Sequence, residues 1–147
     1  MGKALEEKLF KRTIKNKVKE IISNKKEELK IREVVITGDS ERHPIFPAII
    51  LDFERSKETE GRLGPKRLWE MDLGIVCLLR ENDFSKGKIM TEEIVGMAAD
   101  YIIDNLPNEL NDVHEVRIAE STDDTLIEID NKTVVGNAIL LEIYYFI

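Results

Sequence analysis

The chain has 147 residues, 42% hydrophobic and 35% charged, with a net charge of −7; this is the length of one domain, whose core buries roughly 68–70% of the unfolded surface. That balance excludes a disordered polymer, and no apolar run approaches the roughly 18 residues of a membrane-spanning helix. The single cysteine, Cys77, excludes an internal disulfide framework or a Cys-cluster zinc site and points to a soluble domain of a reducing compartment.

Residues 3–29 are predicted to form an amphipathic helix. Leu5, Leu9, Ile14, Val18 and Ile21/Ile22 recur every three to five residues and leave the lysines on the other face. The stripe requires a partner surface, and the polar run Lys25 to Lys30 ends or frays the helix. Lys3, Glu6, Glu7 and Lys8 crowd the start, so no secretory leader is expected. Residues 1–30 hold ten Lys/Arg against five Glu, a net of +5, which leaves −12 on residues 31–147. A basic arm on an acidic body fits either a nucleic-acid footprint or a helix that solvates one face with lysine. The acidic body argues against wrapping nucleic acid over most of the surface.

Glu33 to Thr37 is a short β-branched strand. After His43-Pro44 comes a second strand, Phe46 to Arg55, in which Pro47 marks a strand start or an edge. Ile49, Leu51 and Phe53 face one way there, Asp52 and Glu54 the other. Residues 56–67 are polar and punctuated by glycine and proline, which predicts a long loop. Leu68 to Arg80 has the cleanest alternation: Trp69, Met71, Leu73, Ile75, Cys77 and Leu79 share one face, and Glu70, Asp72, Gly74, Val76 and Leu78 the other. Thr91 is placed to cap a second helix with Glu92 and Glu93 in its first turn. Ile94, Ala98, Tyr101/Ile102 and Leu106 form its buried stripe, and Pro107 is expected to end it. Val113 to Glu120 is a fourth strand, followed by acidic turn material around Asp123 and Asp124. Thr133 to Ile147 is a fifth, with apolar residues on both faces as in a central strand. The order α-β-β-β-α-β-β predicts one α+β domain: a mixed or antiparallel sheet of four to five strands with two helices packed on one side.

Chemistry-bearing residues are few. His43 and His114 fall at loops or strand entries with no Cys or Ser in a nucleophile frame. Cys77 sits mid-strand on the apolar face, where a thiol is a small hydrophobe. Asp52 and Glu54 on one strand and Glu70 and Asp72 on another would gather four acids if those strands pair, the raw material of a divalent-metal site; solvated acids on an open face are the commoner outcome. Asp123, Asp124, Glu128 and Asp130 lack calcium-loop spacing and read as a hydrated hairpin. Gly61 and Gly64, between two strands, do not make a phosphate-cradling loop, and Asn131-Lys132-Thr133 has no meaning as a glycosylation acceptor without secretion. Trp69 reads as a core anchor. No catalytic residue, cofactor site or metal site is assigned.

From Phe46 onward the arrangement resembles a family. Phe46-Pro47-Ala48-Ile49-Ile50 begins a strand after a short Pro-containing loop, and a polar Glu/Gly-rich loop leads to Trp69-Glu70-Met71-Asp72-Leu73-Gly74-Ile75-Val76. A helix near Thr91 to Leu106 follows, then a strand, and Ala138-Ile139-Leu140-Leu141-Glu142-Ile143-Tyr144-Tyr145 closes the chain. This is similar to the tail terminator (tail completion) proteins of long-tailed bacteriophages, over roughly residues 43–147 and, by element order, the first helix; that helix is longer and richer in lysine here. The resemblance implies a non-enzymatic, cofactor-free subunit of a hexameric ring on the head-proximal end of the tail tube. Such a ring stops tube polymerisation and offers a head-joining surface, with the tube protein and a head-completion or neck protein as partners. It implies a place in the virion tail, and in the host cytoplasm during assembly. Head–tail connector and neck proteins share much of this architecture.

The segment Arg55 to Arg67 is expected to be mobile in the free subunit and to order against the tube or a neighbour, through Arg55, Lys57, Arg62, Leu63, Lys66 and Arg67. A plain solvated connection is the alternative. The competing class is a nucleic-acid-binding module using the basic first helix, against which only Phe10 is interleaved with the lysines. A metal-dependent hydrolase built on the sheet acids would lack a paired histidine.

Overall fold

A computed structural model describes residues 2–39, 44–119, 127–128 and 134–147. The chain begins with helix α1, Lys3–Ser23, and a four-residue helix α2, Lys26–Leu29. The polar run after Ser23 ends α1 as expected, but a further turn follows it and closes on Lys30 in the left-handed region, φ 58°. Strand β1 (Glu33–Ile36), the long strands β2 (Ala48–Leu63) and β3 (Lys66–Arg80), helix α3 (Phe84–Glu109), β4 (Val113–Ile118), the two-residue β5 (Ile127–Glu128) and β6 (Val134–Phe146) complete it.

The strands form one mixed sheet in the order β1-β2-β3-β6-β4, with β5 on the edge of β6. β1 and β2 are parallel and every other pair is antiparallel. The fold is α+β as the periodicities require, with α2 and β5 as two short additions. β6 lies inside the sheet, between β3 on one side and β4 and β5 on the other, which accounts for its apolar run.

Register assigns the faces. Met71, Leu73, Ile75 and Cys77 are fully buried, as are Ile49, Leu51, Leu141, Ile143 and Tyr145 on the strands beside them. They pack under Ile14, Val18, Ile21 and Ile22 of α1 and Ile94, Val95, Ala98, Ile102 and Leu106 of α3. At roughly 25 cal/mol per Å² of apolar area, this layer supplies most of the driving force for folding. The other face carries Glu70, Asp72, Gly74 and Val76 of β3, all half-buried. Among the described residues no helix packs on it.

Four features differ from expectation. The segment 56–67 is not a loop: β2 and β3 pair to their ends, Arg62 opposite Arg67 and Leu63 opposite Lys66, with only Gly64 and Pro65 between. Gly64 supplies the positive φ (58°) of that two-residue turn, which costs a residue without Cβ little. Helix α3 starts at Phe84 and not at Thr91. Asp83 caps it, its carboxylate accepting the Lys86 N–H at 3.2 Å. Thr91 is buried mid-helix, and its hydroxyl donates to the Gly87 and Lys88 carbonyls at 2.9 and 3.0 Å. Pro107 sits in the last turn without ending the helix. The apolar stripe of α1 is buried only from Ile14 onward: Leu5 and Leu9 are 48% and 39% exposed.

Candidate functional site

The six residues singled out from sequence all lie on the β2–β3 hairpin. Arg55 is exposed in the irregular stretch between Phe53 and Ser56, where the register shifts. Lys57 reaches Glu70 across the strands at 3.5 Å. Arg67 donates to Glu58 at 2.6 Å, and Lys66 to Asp112, beyond α3, at 2.9 Å. The Arg67 backbone also exchanges two hydrogen bonds with Ile147. Arg62 and Leu63 stand at the tip, Leu63 61% exposed. Two of the five cations, Lys57 and Arg67, therefore brace the hairpin internally and Lys66 ties it to Asp112, while Arg55 and Arg62 make no ion pair among the described residues.

The turn end of the hairpin, at Pro65, Lys66 and Arg67, borders a cavity of ≈ 500 Å³ facing the first turns of α1. Phe10, Trp69 and Phe146 line it with Glu6, Glu58 and Asp112. Trp69 is half-buried against the core, so it anchors the core and lines the cavity at once. Nearby, Ser56 donates to Glu7 at 3.0 Å and Lys11 pairs with Glu7 at 2.8 Å. Burial raises the Glu7 carboxyl, but those two hydrogen bonds outweigh it and leave it below its ordinary value. A second concavity of ≈ 480 Å³ lies between α1 and the end of β1, lined by Lys8, Lys11, Arg12 and Lys15 with Thr37 and Asp39.

The expected gathering of sheet acids occurs with a changed membership. Glu70 and Asp72 meet Glu142 of β6, which pairs with Asp72 in register, and one carboxylate oxygen from each lies within 4.8 Å of the others. Asp52 sits opposite Gly74, and Glu54 falls in the irregular stretch. Arg117 approaches Glu142 at 3.6 Å, donates to the Tyr144 hydroxyl at 2.6 Å and stacks over that ring. The hydrogen bond between the Glu142 and Glu70 carboxyls, then burial, holds Glu142 above its ordinary value; burial and the Glu70 charge do the same for Asp72. Oxygen donors so grouped have the chemistry to hold a divalent cation, while Lys57 and Arg117 compensate the charge in part. Glu142 was missed because its neighbours in sequence are apolar and its partners come only from pairing.

His114 is exposed on β4, edge-on to Phe146. Cys77 is buried and its thiol is pushed up to about 12, the inert state expected of it. His43, Asp123, Asp124, Asp130 and Asn131-Lys132-Thr133 lie outside the described residues, and for Glu128 only the backbone is described. Neither the known protein-family models nor the curated proteins contain a match to this chain. No helix among the described residues is long and apolar enough to cross a membrane.

Proposed function

We propose that this chain is a tail terminator: a ring-forming subunit that caps the head-proximal end of a phage-type tail tube, stops its polymerisation and presents the surface to which the head joins. The observation that carries the reading is the β2–β3 arm. Its strands of 16 and 15 residues, about 50 Å at 3.3 Å per residue, run the length of the sheet beside β6 and end at a turn where Arg62 and Leu63 are exposed. A hairpin tied by Lys57 to Glu70, Arg67 to Glu58 and Lys66 to Asp112, with Arg55, Arg62 and Leu63 uncommitted among the described residues, is suited to meet a neighbouring subunit or the tube. Rings of identical subunits need two unlike patches that meet head to tail. The acidic body repels phosphate, so DNA passes such a ring without being held. The role requires no cofactor and no catalysis; the partners are further copies, hexameric by the family resemblance, together with the tube protein and a head-completion or neck protein. Its place is the virion tail, reached from the host cytoplasm. Electron microscopy of tubes assembled with the protein tests this: tubes stop at normal length with the wild-type chain and overrun it with Arg62→Glu/Leu63→Asp. Tubes that overrun with the wild-type chain refute the reading.

One observation favours a second reading, a nucleic-acid-binding module. Lys8, Lys11, Arg12 and Lys15 converge on one concavity, and clustered cations attract a phosphate backbone. Binding to a DNA duplex that weakens linearly in log salt would support it.

A further inference from the structure

The first turns of α1 expose Leu5 and Leu9. Lys8 and Arg12, also exposed, lie three residues from them, on the same side of the helix. Two aliphatics and two cations thus form one patch pointing away from the core that begins at Ile14. An exposed apolar pair rimmed by charge marks a contact surface.

The uncovered sheet face has the inverse character. Ile50, Val76 and Ala138 lie half-buried at its centre, on three adjacent strands in register. Beside them Glu70, Asp72 and Glu142 crowd three carboxylates together, with Lys57 and Arg117 alone pairing with them among the described residues. The crowding leaves two of these carboxyls holding their protons more tightly than usual, a repulsion that incoming cations would relieve.

We infer that the open sheet face of one copy receives the outer face of the first α1 turns of a second copy, Leu5 and Leu9 covering the half-buried aliphatics while Lys8 and Arg12 meet Asp72 and Glu142. The contact rests on the ring reading, which demands two unlike patches per subunit. It satisfies that demand because helix α1 and the open face lie on opposite sides of the sheet. A front-to-back contact of this kind is heterologous, so it propagates from copy to copy and closes if the rotation per subunit allows.

The test is light scattering on the full chain after size exclusion, at low and high salt, with circular dichroism as a folding control. The wild-type chain is expected to self-associate at low salt and to dissociate as salt rises. Lys8→Glu/Arg12→Glu and Asp72→Lys/Glu142→Lys are each expected to weaken association at least about tenfold. Mixed together, those two variants offer opposite charges at both contacts, so they co-assemble in alternation although neither associates alone; the chain carrying all four reversals regains self-association. If the lysine pair perturbs folding, Asp72→Asn/Glu142→Gln replaces it and should weaken association in the same direction. A wild-type chain that stays monomeric at low salt overturns the inference, as does assembly indifferent to the reversals. Equal tube capping by wild type and Lys8→Glu/Arg12→Glu would overturn this contact and leave the ring reading standing. Failure of the wild-type chain to cap tubes would overturn the ring reading itself.

Discussion

The two faces of the central strands are written by the same residues in alternation, yet they do opposite work. Along β3, residues 71, 73, 75 and 77 are completely dry, whereas 70, 72, 74 and 76 stay half-open. On β6 the same division separates Leu141, Ile143 and Tyr145 from the half-buried Leu140 and Glu142. On the dry face every side chain has its neighbours within the chain, and stability depends on volume and apolarity. On the open face carboxylates are crowded, an arginine lies over a tyrosine, and aliphatics remain half-covered. Because adjacent residues belong to different faces, substitutions one position apart separate folding from contact.

The sharpest break comes at Ile75 and Val76. Ile75→Asp places an unpaired carboxylate in the core, a loss of several kcal/mol, roughly the whole stability of a domain that holds about 5–15 kcal/mol. Val76→Asp is expected to cost about 1 kcal/mol, because its carboxylate reaches water. Urea unfolding followed by circular dichroism reads both, and equal losses would mean that the second face is covered after all. A smaller contrast lies at the tyrosines. The Tyr145 hydroxyl is buried with no well-formed hydrogen bond among the described residues; burial pushes it up to about 12, the nearby Ser56 hydroxyl offsetting this only in part. Tyr145→Phe therefore removes an unsatisfied group and should leave stability unchanged or slightly higher. Tyr144→Phe removes the acceptor of the 2.6 Å bond from Arg117 and should cost about 0.5–1.5 kcal/mol. The reverse order would show that the Tyr145 hydroxyl is the better satisfied of the two.

The dry face was readable from sequence because its signal is apolar and periodic: Met71 to Cys77 alternate cleanly, and Ile94 to Leu106 recur at helical spacing. The distal hairpin was not. Between Ser56 and Arg67 both faces meet solvent, so alternation carries no hydrophobic contrast. The strands are held there by cross-strand pairs such as Glu58–Arg67 and by Thr59 donating to the Leu68 carbonyl, which no local pattern displays. The start of α3 was hidden for a related reason: Thr91 has the chemistry of a cap, but its hydroxyl is satisfied inside the helix. Leu5 and Leu9 were read into the stripe of Ile14 and Val18, but the five-residue step from Leu9 to Ile14 turns them onto another face of the helix, where they are exposed. In the acidic group, Glu70 and Asp72 were visible as a pair, while Glu142 joins them through a register set by the whole β3–β6 ladder.

The smallest expected effect tests whether the open face is kept under electrostatic tension. In the folded chain Glu142 and Asp72 hold their protons above their ordinary values of 4.5 and 3.8. Between those values and the raised ones the native state binds more protons than the unfolded state. Stability therefore falls as pH rises through that window, and the full loss is present at neutral pH. Glu142→Gln removes the charge that Glu70 and Asp72 oppose, so its melting temperature should exceed that of the wild type at pH 7. Below the ordinary carboxylate range the wild-type side chain is itself neutral, and the difference should vanish. Arg117 works the other way, since it loses its 3.6 Å partner; a partly exposed pair contributes about 0–1 kcal/mol, so the net rise is small. High salt and dilute protein keep self-association out of the measurement. A Gln variant that melts lower than wild type at pH 7 would mean that Arg117 already satisfies Glu142. The open face would then be a compensated surface with no unmet demand for a cationic partner.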